Sequence, residues 1–314
     1  MTSIAPAILP GPSPSHPTRQ PAISKRQVLT NDGVEIIVND SRPVDPVEHT
    51  VIMLHGLCLR ARSWHHTGNT LRRLKGIRVI SYDHRGHGHH SRSAPRHTFT
   101  LAQLAQDLAD ILTDLEVSGP TTITGHSLGG MTALSYLARP IHQQPVRPCG
   151  LILVATAAGG LTEYGLGRLL RAPGVDSMIS VLDHTPHAVT ERAIRVLAQP
   201  FCDVVTHDKK VSSGLATAFR QTPMATTLGF LRSLKTFDQR AILPSITAAT
   251  TVISGAQDIL TPPALSEHMA ATIPGATHLH LPHAGHMLLQ DAARSVTDAV
   301  LRTIDRTSSI ETPA

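Results

Sequence analysis

The chain has 314 residues, of which 41% are hydrophobic and 16% are charged. This composition excludes a wholly disordered or heavily charged interaction protein, because there is enough apolar surface to build a core. The net charge is +5, but the basic residues are scattered and only 3% of the chain is aromatic, which argues against a nucleic-acid partner. Three widely spaced cysteines, Cys58, Cys149 and Cys202, indicate free thiols in a reducing compartment.

Both ends of the chain have the composition of unstructured segments. Residues 1–24 contain repeated Pro and Ser without a continuous apolar stretch, which predicts a disordered Pro-rich leader rather than a signal peptide. Residues 305–314 are predicted to form a flexible tail. No run approaches the roughly 18 consecutive apolar residues of a transmembrane helix. We therefore expect a cytoplasmic protein without stable membrane insertion, and the sequence carries no signal for an oligomeric state.

The predicted elements begin with a β-hairpin and continue as an alternation of strands and helices. The hairpin joins Gln27–Thr30 to Val34–Val38 through Asn-Asp-Gly, residues that tolerate positive φ. Short apolar runs follow, typical of strands buried on both faces of a parallel sheet. These runs are Thr50–Leu54, Val79–Tyr82, Thr121–Thr124, Leu151–Val154, Thr250–Ser254 and His278–Leu281. Helical spacing is found at Leu101–Leu115, Leu128–Ala138, Pro263–Thr272 and Ser295–Ile304.

This alternation predicts a doubly wound, mostly parallel α/β sheet, which is interrupted once. Residues 157–242 show no strand pattern, only helix-like patches such as Ala188–Leu197 and Thr226–Leu234. A structureless loop of that length is rare, so the segment is predicted to be an inserted helical cap. The α/β core would then comprise residues 25–156 and 243–304.

The strongest motif is GHSLGG at residues 125–130, which contains G-x-S-x-G around Ser127. It lies between a predicted strand and a predicted helix, the context that a nucleophile elbow requires. Such a sharp turn leaves no room for flanking side chains, which explains the glycines at positions 125 and 129. The turn would hold the serine hydroxyl above the sheet edge, with the N-terminus of a helix behind it. Ser127 is therefore the predicted nucleophile.

A serine hydroxyl needs a base, and the base needs an orienting acid. Asp258 follows the strand Thr250–Ser254, and His286 follows the strand His278–Leu281. All three side chains thus come after the carboxyl ends of strands, where open α/β sheets place their sites. Their order along the chain, Ser, Asp, His, is the order used by this architecture. Asp258 and His286 are the predicted acid and base.

The segment His55-Gly56-Leu57 follows the strand Thr50–Leu54 directly. A chain that turns sharply there can direct the backbone N–H of Leu57 towards Ser127. Together with the N–H of Leu128, it would form an oxyanion hole with two main-chain donors.

Five motifs together resemble those of α/β-hydrolase-fold serine hydrolases of the esterase, lipase and C–C hydrolase group. They are HGL (55–57), YDHRGHG (82–88), GHSLGG (125–130), SGAQDILTP (254–262) and AGHM (284–287). The resemblance implies the triad and oxyanion donors named above, with the helical cap lying over the site. YDHRGHG is similar to a stretch of monoacylglycerol lipases in which Asp83 and Arg85 would brace the sheet edge rather than react.

The chain contains 20 histidines, and five of them lie between residues 84 and 97. They are His84, His87, His89, His90 and His97. Their spacing is not that of a zinc site, so we expect neither a metal site nor a cofactor. His65 and His66 are interpreted as a solvated loop beside Trp64.

The predicted activity is hydrolysis of a small-molecule carboxylic ester through an acyl-enzyme. The same triad would serve a C–C bond hydrolase, thioesterase, lactonase, acyltransferase or cofactor-free haloperoxidase, because motifs do not encode the substrate. Ser127 argues against epoxide hydrolases and haloalkane dehalogenases, in which an aspartate is the nucleophile. A hypothesis of another class is a small-molecule receptor that retains the triad.

Overall fold

The computed structural model describes residues 22–87, 94–185, 196, 198–200, 202–206 and 208–308. Within these residues, eight strands form one sheet in the order β1-β2-β4-β3-β5-β6-β7-β8. The strands are β1 (Ser24–Leu29), β2 (Glu35–Ser41), β3 (His49–Leu54), β4 (Ile77–Tyr82), β5 (Thr121–His126), β6 (Gly150–Val154), β7 (Ala249–Gly255) and β8 (Thr277–Leu281). The predicted hairpin and the six predicted buried runs all lie within these strands or end within one residue of them.

The first two strands are antiparallel and the other six are parallel to one another. Gly33 has φ of +82° in the turn of the hairpin, a conformation that glycine adopts without strain. Because parallel strands run in one direction, the carboxyl ends of β3, β5, β7 and β8 lie at the same edge of the sheet. The mostly parallel α/β sheet predicted from the sequence is therefore confirmed.

Helices cover both faces of the sheet, and each face has its own apolar core. In chain order the α-helices of the described residues are α1 (His65–Leu71), α2 (Leu101–Asp114), α3 (Leu128–Leu137), α4 (Val175–His184), α5 (Lys209–Gln221), α6 (Met224–Lys235), α7 (Pro263–Thr272), α8 (Leu288–Asp291) and α9 (Ala293–Ser308). One core packs α2, α3 and α7 against the sheet, and the other packs α1, α8 and α9 against the opposite face. No helix in the described part of the chain is long and apolar enough to cross a membrane.

The segment between β6 and β7 contains helical elements and, where it is described, no strand. Besides α4, α5 and α6 it has short 3₁₀ helices at Leu161–Glu163, Gly165–Arg171 and Arg240–Ser245. The predicted patch Thr226–Leu234 lies inside α6. The patch Ala188–Leu197 falls outside the described residues except for Val196. The division of the chain into core and cap stays a prediction.

Three expectations about local structure were wrong. The leader was predicted to extend to residue 24, but Ser24 already pairs with Asp40 in the sheet. The tail was predicted to begin at residue 305, but α9 continues to Ser308, and Thr307 is buried. His65 and His66 are exposed as expected, yet they begin helix α1 rather than forming a loop.

Candidate active site

Ser127 occupies the turn between β5 and α3 with φ of 52° and ψ of −118°. A non-glycine residue at positive φ costs energy, so the surroundings must hold it there. Its N–H donates to the carbonyl of Val154 at 2.9 Å. Its carbonyl accepts from the N–H of Gly130 at 2.9 Å and from the hydroxyl of Thr156 at 2.7 Å. These bonds keep a strained turn in which the serine stands at the N-terminus of α3.

The glycines beside Ser127 are required by close backbone contacts. A Cβ atom at Gly125 would lie 2.4 Å from the nitrogen of Gly130, and one at Gly129 would lie 2.3 Å from the carbonyl oxygen of Leu54. Both obstacles are main-chain atoms that cannot rotate away. The absence of side chains therefore lets α3 begin directly above β3, as the spacing of the motif predicts.

Asp258 and His286 meet in the loops that follow β7 and β8. His286 Nδ1 donates to Asp258 Oδ2 at 2.8 Å. The hydroxyl of Thr261 donates to the same oxygen at 2.7 Å, while the N–H groups of Leu260 and Thr261 donate to Oδ1 at 2.9 Å each. Burial would raise the pKa of Asp258, but the charge of His286 and the hydrogen bonds from His286 and Thr261 hold it below its ordinary value. The carboxylate is thus ionised and fixes the ring of His286 with Nε2 free to act.

His286 is also held next to the nucleophile elbow. His126 donates from Nε2 to the main-chain carbonyl of His286 at 2.9 Å, and the two ring centroids are 5.0 Å apart. The hydrogen bonds among the described residues do not include one between Ser127 Oγ and His286. In an enzyme without substrate such a bond is often long and tightens only in the complex.

The predicted oxyanion donors lie on the two segments that adjoin Ser127. A Cβ atom at Gly56 would be 3.2 Å from Ser127 Cβ, so the HGL segment passes directly beside the serine. Leu128 is the first residue of α3 and its N–H has no partner within the helix. Across the described residues, neither the N–H of Leu57 nor that of Leu128 donates a hydrogen bond. Both donors are therefore free to stabilise a developing negative charge.

Three buried histidines hold the HGL segment in place. His55 donates from Nδ1 to the carbonyl of Gly56 and accepts at Nε2 from the N–H of His84, both at 2.8 Å. His87 accepts at Nε2 from the N–H of Cys58 at 3.0 Å. Burial lowers the pKa of His55 to about 4 and that of His87 to about 3, so both rings are neutral at pH 7. The HGL segment and residues 84–87 are thus joined by hydrogen bonds.

Asp83 and Arg85 make contacts of the kind that the bracing role implied by the resemblance requires. Arg85 is fully buried and pairs with Asp107 of α2, with 2.7 Å between its Nε and Asp107 Oδ2. Its Nη1 lies 2.8 Å from Asp32 Oδ2 in the hairpin turn. Asp83 accepts from the N–H of Ala61 at 2.8 Å. Both side chains connect loops at the carboxyl edge of the sheet.

The histidine-rich segment does not come together as a metal site where it is described. His84 and His87 are buried and bonded to the main chain, whereas His97 is exposed. His89 and His90 lie outside the described residues. Within the residues that the structure describes, no group of three or more His, Cys, Asp or Glu side chains has the arrangement needed to hold a metal ion.

Sequence reasoning missed Thr261, His126 and Thr156 as parts of the site. Thr261 follows Asp258 by three residues, a spacing at which a hydroxyl and an N–H can both turn back to a carboxylate. The roles of His126 and Thr156 depend on contacts between distant segments, which no local pattern reveals. Each of the three contacts a predicted site residue.

Comparison with known proteins agrees with the fold. The family model for the alpha/beta hydrolase fold matches residues 49–293. A protein of Variovorax paradoxus (strain S110), provisionally named carbamate hydrolase RutD, is 31% identical over 231 residues, which are 72% of this chain and 78% of that protein. BpoC of Mycobacterium tuberculosis, provisionally named a non-heme bromoperoxidase, is 25% identical over 272 residues, or 86% and 97% of the two chains.

The solved structures include similar folds at low sequence identity. The esterase EaEST from Exiguobacterium antarcticum superposes with a TM-score of 0.72 at 21% identity, covering 89% of this chain and 98% of its own. A likeness at that identity concerns the fold alone. The family model, in contrast, matches the sequence itself over most of its length. Because of this match, the chain belongs to the alpha/beta hydrolase fold family.

Proposed function

We propose that the protein is a serine hydrolase that cleaves a carboxylic ester of a small molecule or an acyl-chain substrate through an acyl-enzyme. The observation that carries the proposal is the 2.8 Å hydrogen bond between Asp258 and His286, which orients the base beside the elbow of Ser127. Structural ion pairs also occur in this fold, but this one borders a strained serine and two free N–H donors. That combination is what acyl transfer requires.

The proposed mechanism uses each group in turn. Ser127 Oγ attacks the carbonyl carbon while His286 Nε2 accepts its proton. The N–H groups of Leu57 and Leu128 stabilise the oxyanion, and Asp258 stabilises the imidazolium. His286 then protonates the departing alcohol, which leaves the acyl group on Ser127. A water molecule, deprotonated by His286, attacks the acyl-enzyme, and His286 returns the proton to Ser127 Oγ as the acid is released.

The same steps could act on several classes of carbonyl substrate. The relative named as a carbamate hydrolase favours a carbamate as a second candidate, because its carbonyl would occupy the same oxyanion hole. The relative named as a bromoperoxidase keeps cofactor-free haloperoxidase chemistry among the alternatives. C–C bond, thioester and lactone hydrolysis also remain alternatives.

We further propose that residues 157–242 form a cap that covers the site and selects the substrate. Leu215 and Ala216 of α5 are buried in one apolar cluster with Leu59 and Met287 of the core. Leu59 lies two residues after the donor Leu57, and Met287 follows His286. The helical segment therefore packs on the two loops that carry catalytic groups, which supports a role in binding the substrate.

The proposal is tested with p-nitrophenyl acyl esters of several chain lengths and with a fluorophosphonate probe. We expect the protein to hydrolyse at least one ester and to be labelled, and the Ser127→Ala variant to lose both. Ser245→Ala, which changes an exposed serine away from the site, serves as the control and should retain both. Equal turnover of the esters by the wild type and Ser127→Ala would exclude ester hydrolysis through Ser127. If the wild type binds small molecules but is not labelled, the alternative of a small-molecule receptor that retains the triad is favoured instead.

A further inference from the structure

A cavity of about 430 Å³ lies between helix α5 and the loops that follow β3 and β8. This volume is within the range of sites for small molecules. It is lined by Leu59, Arg60, Arg62, Ser63 and His65 from the loop after β3 and the start of α1, by part of α5, and by Met287 and Gln290. We call it the seam cavity.

The seam cavity is apolar on one side. Leu59, Leu215 and Met287 are buried in the same cluster, and Val211 packs against that cluster. These side chains offer a surface for methylene groups, whose transfer from water is favourable. An aliphatic part of a ligand would be stabilised there.

The remaining lining carries positive charge without a counter-charge. Arg60, Arg62 and Lys210 line the cavity, and no acidic side chain does. Across the described residues, none of the ion pairs involves any of the three. An anion in the cavity would therefore meet up to three free cations, which is a specific form of electrostatic complementarity.

The seam cavity adjoins the catalytic groups along the chain. Met287 is bonded directly to His286, and Leu59 is two residues from Leu57. Consecutive Cα atoms are about 3.8 Å apart, so the Cα atoms of Met287 and Leu59 lie within about 8 Å of those of His286 and Leu57. Ser127, Leu57 and His286 do not themselves line the cavity, so a substrate would need a chain of a few methylene groups to reach it from the oxyanion hole.

We propose that the preferred substrate carries an anionic group, separated from the scissile carbonyl by a short aliphatic chain, that binds beside Arg60, Arg62 and Lys210. The inference rests on the proposed hydrolase function and adds the class of substrate. The apolar surface holds the chain and the three cations hold the anion. Neutral esters with the same number of carbon atoms would gain only the contacts with the apolar surface.

The first test compares pairs of esters that differ only in a terminal carboxylate. In the first pair, monomethyl adipate carries the carboxylate in its acyl part, and methyl hexanoate is its neutral partner. The other places it in the alcohol part, 3-butyryloxypropanoate against propyl butyrate. We expect kcat/KM at pH 7.5 and low salt to be about tenfold higher for the anionic member of at least one pair. Added salt should reduce this preference, because it screens exposed charges.

The second test measures the same ratio, anionic over neutral kcat/KM, in charge variants. Arg62→Gln and Lys210→Gln should each lower the ratio about threefold, and the double variant about tenfold, as expected for exposed charge pairs. Both side chains are exposed, so the variants should fold. Lys209→Gln is the matched control, because Lys209 neighbours Lys210 on α5 but does not line the cavity, and its ratio should equal that of the wild type.

The outcomes separate this inference from the proposed function. A ratio near one for both ester pairs, or a ratio that Arg62→Gln and Lys210→Gln leave unchanged, overturns the anion preference while esterase activity stands. Failure to turn over any ester, together with failure of Ser127 to react with the fluorophosphonate, overturns the proposed function itself.

Discussion

His126 donates a hydrogen bond from Nε2 to the main-chain carbonyl of His286, with 2.9 Å between the two atoms. The residue before the proposed nucleophile thus supports the backbone of the proposed base. This bond joins the last residue of β5 to the loop after β8, and two strands, β6 and β7, separate β5 from β8 in the sheet. It gives His126 a positioning role that its place in the GHSLGG motif does not reveal.

Replacing His126 by leucine should lower kcat about tenfold with little change in KM. The carbonyl of His286 would lose a buried hydrogen bond, and an unsatisfied buried acceptor costs about 1–3 kcal/mol. The base would then be held less firmly against Ser127. Steady-state kinetics on a neutral ester measures the effect. His126→Gln, which can still donate, should retain most of kcat, and equal losses in the two variants would contradict the positioning role.

Thr261 should support the acid in a similar way. Its hydroxyl donates to Asp258 Oδ2 at 2.7 Å, the same oxygen that binds His286. Thr261→Val removes this donor at nearly constant volume. We expect kcat to fall about tenfold or more while KM is retained, because a hydrogen bond to a charged group contributes about 1.5–3 kcal/mol. Thr261→Ser keeps the hydroxyl and should keep most of the activity. The pH profile of kcat provides a second readout, since a purely structural role would not move it.

The site could be predicted from the sequence to a large extent because its members follow strands. Ser127, Asp258 and His286 each come after a short apolar run, and parallel strands bring their carboxyl ends to one edge. The prediction needed no knowledge of side-chain packing. For the same reason the hairpin turn at Gly33 was predictable, since its conformation is local.

What could not be predicted depends on contacts between distant residues. His49 is buried beside Thr122, and His55 bonds to His84, although nothing in the local pattern separates these rings from exposed ones such as His66. The end of α9 was misplaced because the polar composition of residues 305–308 does not reveal that Thr307 is buried. Tertiary packing overrides local composition in each case.

Gly129→Ala should destabilise the fold strongly. The added Cβ would lie 2.3 Å from the carbonyl oxygen of Leu54, a main-chain atom of the central strand β3. We expect the free energy of unfolding to fall by about 3 kcal/mol or more, since α3 must shift to relieve the overlap. Urea unfolding measures it. Gly214→Ala, in the exposed part of α5 with no atom within 4 Å of its Cβ, should instead stabilise the fold by about 0.5–1 kcal/mol.

Asp107→Asn tests the buried pair with Arg85. Both side chains are fully buried, so the variant would leave a guanidinium that only Asp32 can neutralise. Removing one partner of a buried ion pair lowers the free energy of unfolding by about 3–5 kcal/mol. Because Asp32 still pairs with Arg85, we expect a loss of about 3 kcal/mol. Urea unfolding measures this loss. Asp238→Asn, which breaks the exposed pair with Arg240, should cost less than about 1 kcal/mol, and similar losses in the two variants would contradict this difference.

His49 should make the fold less stable in mild acid, and His49→Gln should reduce that loss. Burial lowers the pKa of His49 to about 4, so below its ordinary value of 6.5 the unfolded chain binds a proton that the folded chain does not. The free energy of unfolding therefore falls as the pH decreases from 6.5 towards 4, by about 2 kcal/mol at pH 5 for one such group. Urea unfolding at pH 7.5 and pH 5.0 measures how much the free energy of unfolding falls between the two. For His49→Gln this fall should be about 2 kcal/mol smaller than for the wild type. His66→Gln changes an exposed histidine, and its free energy of unfolding should fall by as much as that of the wild type. An equal fall in His49→Gln and the wild type would contradict the prediction.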